Sequence, residues 1–190
     1  MNNSQNPIGE ALFKYRDYTP IPLIILLFYF ADSTVRTAAL GITLVVAGEL
    51  FRIYSVAFIG SISRTRKGNL GARLIKEGPF SFMRNPLYVG NFLITLGVSV
   101  FGGHLGVIAL AVVLFSVQYY YIVKYEEELL RKTFGEEFDE FCREVPPWLP
   151  TKKLELDKIE WPDNFSPAIK SEKKTLMTIF SVIGILSLLA

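Results

Sequence analysis

Four long apolar segments, separated by short and densely charged stretches, dominate the pattern of this chain. They cover Pro20 to Ala31, Val35 to about Ile59, Pro86 to Phe101 and Leu105 to Val123. A helix that crosses the hydrocarbon core of a bilayer needs roughly 20 mostly apolar residues, and such segregation of charge is typical of membrane proteins. The pattern therefore predicts an all-α fold, a polytopic bundle of transmembrane helices.

The region after the fourth apolar segment predicts further helices. That segment continues without a breaker into a run of glutamates and is expected to stop at Gly135. A short amphipathic helix, about Glu136 to Glu144, would follow and lay Phe138 and Phe141 on the membrane surface. After a polar connector, the apolar residues from Thr175 to Ala190 predict a C-terminal membrane helix, the last of about five.

These elements predict a single membrane domain over residues 1–190. Its parts are a polar N-terminal stretch (1–17), a helical hairpin (18–60), a cytoplasmic loop (61–85), a second hairpin (86–134), a cytoplasmic segment (135–174) and a C-terminal helix (175–190). Basic residues cluster in the N-terminal stretch and the two cytoplasmic segments, whereas the opposite turns carry only Arg36 and His104. The positive-inside rule then places the N-terminus and the predicted active site in the cytoplasm, at the bacterial inner membrane or the eukaryotic endoplasmic reticulum.

Composition excludes several functional classes. The 190 residues are 51% hydrophobic and carry a net charge of only +2, so nucleic acid is not an expected partner. The single cysteine, Cys142, excludes an internal disulfide and a cysteine-based zinc site. The single histidine, His104, argues against a histidine-ligated metal and a Ser-His-Asp hydrolase, and we predict no metal site.

A polar segment before the third apolar run is the first candidate for chemistry. It contains Lys76, Glu77, Gly78, Arg84, Asn85, Pro86 and Tyr88. Pro86 suits the first position of a helix, where the free N–H groups near Leu87 and Tyr88 attract an anionic group such as a carboxylate. Arg84 adds a bidentate donor beside that helix end. Asn91, three residues after Tyr88, would lie on the same helix face.

The second candidate is the acidic run Glu126-Glu127-Glu128 at the end of the fourth apolar segment. Three consecutive carboxylates cover most of a helix circumference, so at least one is expected to face inward. An inward carboxylate beside a bilayer is costly unless a cation offsets it. A ligand that carries an ammonium and a sulfonium would supply that cation, and ribose hydroxyls could also donate to the carboxylates.

These two segments resemble the isoprenylcysteine carboxyl methyltransferase family and its phospholipid methyltransferase relatives. The matching residues are Gly78-Pro79-Phe80, then Arg84-Asn85-Pro86-Leu87-Tyr88-Val89-Gly90, then Glu126-Glu127-Glu128, Phe134-Gly135-Glu136-Glu137-Phe138 and Val145-Pro146. The resemblance covers roughly residues 74–150, and the two motifs occur in the family's order with one helical hairpin between them. One position departs from the family pattern, because its usual histidine is Asn85 here.

The resemblance implies S-adenosylmethionine as the cofactor and a lipid-like or prenylated substrate that enters laterally from the membrane. It implies catalytic roles for Arg84 and Glu128, and cofactor binding by Lys76, Glu77, Gly78, Asn85, Pro86, Tyr88 and Glu127. Asn85 can donate and accept hydrogen bonds, but it cannot act as a base, so its presence affects the expected substrate more than the reaction. The acceptor atom and the oligomeric state stay open.

Other functions are compatible with parts of the sequence. Asn85-Pro86-Leu87-Tyr88 and Phe141-Cys142 with Val145-Pro146 also resemble sterol reductases, which use a nicotinamide cofactor. A non-catalytic membrane protein is the third alternative. The acidic run favours the cationic methyl donor, since a dinucleotide phosphate needs several cations.

Structural roles are also open for several of these residues. Glu127 could pair with Arg131, and Glu128 with Lys132, on a solvated helix end. The aromatic run 119–121 could form an interfacial belt, and Glu49 could pair with Arg52 one turn away.

Overall fold

A computed structural model describes residues 6–59, 73–150 and 159–189. Over those residues the chain forms helices and no strand, which confirms the all-α prediction. The helices are α1 (Pro7–Tyr15), α2 (Ile21–Tyr29), α3 (Val35–Ile59), α4 (Pro86–Gly102), α5 (Leu105–Phe134), α6 (Glu136–Glu144) and α7 (Ser166–Leu189), with a 3₁₀ turn at Gly78–Ser81. Residues 61–72 of the predicted cytoplasmic loop and 151–158 of the predicted connector lie outside the described residues.

The α3–α4 pair forms the centre of the bundle through two glycine crossings. A Cβ added to Gly48 would lie 2.8 Å from the Gly90 carbonyl oxygen, and one on Gly41 would lie 2.6 Å from that of Gly97. The backbones therefore touch directly at both crossings, an arrangement that small residues permit in membrane helices. This close approach brings the polar side chains of α3 and α4 to a common interior.

Within the described residues, two helices are long and apolar enough to cross a membrane by length and composition: α3, with 25 residues, and α5, with 30. At 1.5 Å per residue, the nine residues of α2 extend only about 14 Å, so α2 does not confirm the predicted span over Pro20 to Ala31. The apolar helix α4 has 17 residues, and α7 is polar over its first half. The predicted count of about five membrane helices is not confirmed.

The polar N-terminal stretch contains a helix, α1, that the hydrophobic pattern did not predict. Asn6 caps it by accepting a hydrogen bond from the Gly9 N–H, and its side-chain amide donates to the Tyr121 carbonyl. Phe13 is buried against Tyr125 of α5. The sequence signals for α1 were a cap, a proline at the first helical position and one apolar stripe.

The short helix α6 forms where the sequence predicts it, but its apolar face has a different partner. Phe138 and Phe141 are buried within the protein, and residues of α5 and Leu74 pack against them. The prediction that these rings lie on the membrane surface is therefore wrong. The turn at Gly135, whose φ of +56° suits glycine, lets α6 fold back on α5 and satisfy its aromatic face there.

The C-terminal helix α7 begins at Ser166, nine residues before the predicted apolar start at Thr175. Its apolar half packs Val182 and Leu186 into a core shared with α2, α4 and α5. Its polar first half includes Glu172, which is buried. This half was predicted as part of a connector because its charges suggested a solvated segment.

Candidate active site

A cavity of about 980 Å³ lies inside the bundle, with walls contributed by all seven helices. Five of the predicted site residues line it: Arg84, Asn85, Pro86, Tyr88 and Glu127. The other four, Lys76, Glu77, Gly78 and Glu128, are not among its lining residues. The volume is at the upper end of the usual range for small-molecule sites, so it can hold a cofactor and part of a second molecule.

Arg84 joins the two motifs that the sequence separates. Its Nε and Nη2 donate to Glu127 Oε1 at 3.1 and 2.8 Å, and its Nη1 donates to the carbonyls of Val145 and Cys142 at 2.5 and 3.2 Å. The Arg84 side chain is only 12% exposed, and that of Glu127 21%. The guanidinium thus fixes one carboxylate at the cavity wall and anchors the end of α6.

Asn85 makes a second tie to the same segment. Its side-chain amide donates to the Pro147 carbonyl at 3.0 Å, while the backbone N–H of Arg84 donates to the Pro146 carbonyl at 2.9 Å. An N–H donor is what this position requires, and a histidine could also provide one. The substitution of asparagine for the family histidine is therefore compatible with this local structure.

Tyr88 and Glu126 form a second link between α4 and α5. The Tyr88 hydroxyl donates to Glu126 Oε2, and both residues line the cavity. Glu126 was predicted only as part of the acidic run and was not assigned a site role. The two links, Arg84 with Glu127 and Tyr88 with Glu126, bring the two predicted segments together at one end of the cavity.

The three glutamates of the acidic run have different surroundings. Glu126 and Glu127 line the cavity, whereas the Glu128 carboxylate accepts a hydrogen bond from Lys132 at 2.5 Å and is not among the lining residues. Arg131 pairs with Asp139 rather than with Glu127. One of the two structural pairings considered from sequence, Glu128 with Lys132, is therefore present.

The predicted cofactor residues of the loop before α4 have structural contacts outside the cavity wall. Lys76 pairs with Glu137 at 2.9 Å, and Glu77 pairs with Arg73 at 2.7 Å. The Gly78 N–H donates to Glu160 Oε2 at 3.0 Å. These contacts hold the turn against α6 and the segment before α7.

Several cavity residues were not among the site residues predicted from the sequence. Arg16 follows α1, and Tyr119 lies in the predicted aromatic belt of α5 but is buried. Arg52 lies 3.8 Å from Glu49, as considered from sequence, yet its shorter contact is with Glu172 of α7, at 2.7 Å. Only the charge of Arg52 within an apolar segment signalled such a role.

A profile described as phospholipid methyltransferase matches residues 36–137, more than half of the chain and the region that supplies Arg84, Tyr88, Glu126 and Glu127. The chain therefore belongs to the phospholipid methyltransferase family. With its two long apolar helices, this membership identifies a membrane protein.

Two curated relatives, both described as resistance proteins, match part of the chain. The chain is 29% identical over 126 residues to the nickel-cobalt-cadmium resistance protein NccN of Alcaligenes xylosoxydans xylosoxydans, covering 66% of this chain and 54% of that protein. It is 31% identical over 122 residues to the cobalt-zinc-cadmium resistance protein CzcN of Cupriavidus metallidurans, covering 64% and 51%.

A plant enzyme also matches. The chain is 28% identical over 116 residues to protein-S-isoprenylcysteine O-methyltransferase B of Arabidopsis thaliana, covering 58% of this chain and 57% of that protein. This match and the family profile confirm the resemblance predicted from the two motifs. The chain spans little more than half the length of the curated relatives it matches, and no solved structure matches it.

Proposed function

We propose that this protein is an S-adenosylmethionine-dependent methyltransferase that modifies a lipid-like substrate. The observation that carries the proposal is the junction at one end of the cavity, where Arg84 binds Glu127 and Tyr88 binds Glu126. Of the two carboxylates on this cavity wall, Glu127 is paired with Arg84, whereas Glu126 accepts from the neutral Tyr88 hydroxyl. A ligand that carries an ammonium and a sulfonium would offset the charge of Glu126, which is costly to bury. The plant relative's name supports the same reaction.

The chain's own residues position the reactants in this reaction. S-adenosylmethionine bound there would supply an activated methyl group to the acceptor's lone pair, with the cofactor sulfur as the leaving group that keeps the bonding electrons. Since that methyl group is already activated, orientation and exclusion of water account for most of the protein's contribution. Glu127 would hold the ammonium or the ribose hydroxyls, and Arg84 would act as a positioning residue because it fixes Glu127.

The acceptor determines whether a base is needed. A carboxylate acceptor has no proton to lose, whereas an amine, hydroxyl or thiol acceptor releases one. The Glu126 carboxylate, inside the cavity beside Tyr88, is placed to accept that proton. Glu128, predicted from the sequence to act in catalysis, points toward Lys132, so its role is a prediction that substitution must test.

The orientation in the membrane is also part of the proposal. We place the chain as a multi-pass protein with the junction of Arg84 and Glu127 at the cytoplasmic face. Basic residues near this end, such as Lys124, Arg131 and Lys132, support that orientation. A lipid substrate would then enter the cavity from the bilayer.

Calorimetry on the detergent-solubilised protein tests the cofactor. We expect S-adenosylmethionine to bind and NADPH not to bind. NADPH binding alone would identify the reductase alternative, and binding of neither would favour a non-catalytic protein. Incubation of membrane lipids with methyl-labelled S-adenosylmethionine would then show which lipid gains the label and whether the acceptor is oxygen, nitrogen or sulfur.

A further inference from the structure

A second arginine–glutamate pair lies deeper in the same cavity than the junction of Arg84 and Glu127. Arg52 of α3 donates to Glu172 Oε2 of α7 at 2.7 Å and to the side-chain oxygen of Asn91 on α4. The Glu172 side chain is 1% exposed and that of Arg52 14%, and both residues line the cavity. The family profile ends at residue 137, so Glu172 lies outside the matched region.

This pair is connected to the cofactor end by a continuous row of polar side chains. The Asn91 amide donates to the Tyr119 hydroxyl at 3.1 Å, and the Tyr119 ring lies 4.7 Å from the Tyr88 ring, centroid to centroid. Tyr88, Asn91 and Thr95 are three and four residues apart on α4 and all line the cavity. The row therefore descends from the cofactor end into the bundle, with Arg52 and Glu172 beside its middle.

Beyond this row the cavity wall becomes apolar. Leu23 and Leu27 of α2, Val98 of α4, and Ile179 and Val182 of α7 line that part. A polar band between a cofactor site and an apolar chamber matches the two parts of an amphiphile, since its chain needs the apolar wall and its head needs hydrogen bonds.

We propose that Arg52 and Glu172 are positioning residues that bind the polar headgroup of the acceptor amphiphile and present its reactive atom to the cofactor end. The inference rests on the methyltransferase function proposed above. Arg52 would donate to an oxygen of the headgroup, Glu172 would hold the guanidinium in place, and the chain of the amphiphile would occupy the apolar chamber.

Stability alone does not account for this pair. Apolar residues of similar volume often replace a buried ion pair with no loss of stability, because burying two charges costs about as much as their attraction returns. An apolar contact between α3 and α7 would therefore serve packing equally well. An ion pair, unlike an apolar contact, can orient a polar molecule that binds beside it.

A double substitution separates orientation from packing. We expect Arg52→Met with Glu172→Met, made in a Glu49→Gln background because Arg52 also lies 3.8 Å from the buried Glu49, to leave a folded protein with unchanged affinity for S-adenosylmethionine. The KM for vesicles of total polar lipid from the expression host should rise about tenfold or more, with a smaller change in kcat. A double variant that keeps the wild-type KM would show that the pair only packs α7 and would overturn the proposal.

Single substitutions keep the test decisive if the double variant does not fold. Glu172→Gln retains the shape of the side chain and should raise the KM, whereas Lys173→Gln, an exposed neighbour on α7, should not. Equal KM values for these two variants would contradict the proposal. Native mass spectrometry adds a readout without turnover, since Glu172→Gln should retain less co-purified lipid than Lys173→Gln.

The headgroup site and the proposed function would be contradicted by different experimental results. Loss of the function itself would appear as no binding of S-adenosylmethionine to the wild-type protein. Methyl transfer to a lipid by the wild-type protein, with an unchanged KM in the Glu172→Gln variant, would contradict the headgroup site alone.

Discussion

Two buried arginine–glutamate pairs, Arg84 with Glu127 and Arg52 with Glu172, differ in how the sequence encodes them. Arg84 and Glu127 belong to motifs that bracket one helical hairpin, within the region matched by the family profile. Arg52 and Glu172 are 120 residues apart, and only Arg52 lies in that region. Only the first pair therefore lies wholly within the matched region, and the acceptor role that we propose for the second pair rests on contacts between distant parts of the chain.

Gly90, the glycine that ends the motif containing Arg84, lies against Arg52 of the second pair. A Cβ on Gly90 would lie 2.5 Å from Cγ of Arg52 and 3.0 Å from the Gly48 carbonyl oxygen. The glycine is therefore required by the path of the Arg52 side chain as much as by the helix crossing. The motif residue thus has a physical role in the deeper pair.

The largest effect is expected from breaking the motif pair. Arg84→Met would leave Glu127 partly buried without its guanidinium and release the Val145 and Cys142 carbonyls. We expect a loss of about 3 kcal/mol in stability and a fall of roughly 100-fold in affinity for S-adenosylmethionine. Thermal unfolding and calorimetry measure both effects. Lys132→Met, which removes an exposed ion pair, is the control and should change stability by less than about 1 kcal/mol.

The next effect distinguishes two neighbouring glutamates. Glu127→Gln should lower the affinity for S-adenosylmethionine by roughly 30-fold, because a hydrogen bond to a charged group is worth about 1.5–3 kcal/mol. Glu128→Gln should leave that affinity nearly unchanged, since its carboxylate faces Lys132 outside the cavity. Equal losses of affinity in the two variants, measured by calorimetry, would support a role for Glu128 in the site. They would contradict the assignment of Glu127, and not Glu128, to the cavity wall.

A smaller effect on stability should follow from a methyl group at the crossing of α3 and α4. Gly90→Ala should destabilise the protein by about 1–3 kcal/mol, because either Arg52 or the Gly48 backbone must move. Gly184→Ala on α7, where a Cβ has nothing within 4 Å, is the matched control and should be neutral or slightly stabilising. If the two variants unfold at the same temperature within error, the crossing of α3 and α4 is looser than described.

The smallest effect is expected from Tyr88→Phe. The substitution removes one hydroxyl hydrogen bond to Glu126 and leaves the ring beside Tyr119. Affinity for S-adenosylmethionine should fall only about three- to tenfold, in line with one hydrogen bond of roughly 1 kcal/mol. A loss as large as that of Glu127→Gln would indicate that the Tyr88 hydroxyl itself forms a hydrogen bond with the ligand.

The sequence predicted α3, α4, α5 and α6 and the meeting of the two motif segments. These features could be predicted because long apolar runs indicate helices. The motif residues also lie at the ends of two helices that a short turn brings together. The amphipathic helix α1 was missed because its stripe is short and its composition polar. Glu172 was missed because a buried glutamate within a charged connector has the same sequence signature as an exposed one, until α7 packs against α3.

The burial of Phe138 and Phe141 shows the same limit at a predicted element. Their spacing predicts an apolar face on α6, but it does not distinguish a lipid surface from a protein surface. The turn at Gly135 and the anchoring of the α6 end by Arg84 direct the apolar face of α6 toward the protein. The anchoring depends on contacts between distant parts of the chain.

An experimental structure of the protein with S-adenosylhomocysteine, the demethylated form of the cofactor, would show whether the junction of Arg84 and Glu127 forms the cofactor site. We expect the ligand to lie against Tyr88, Glu126 and Glu127, with its sulfur directed toward Asn91 and the apolar chamber. A ligand bound elsewhere, or bound with Arg84 and Glu127 separated, would contradict this expectation.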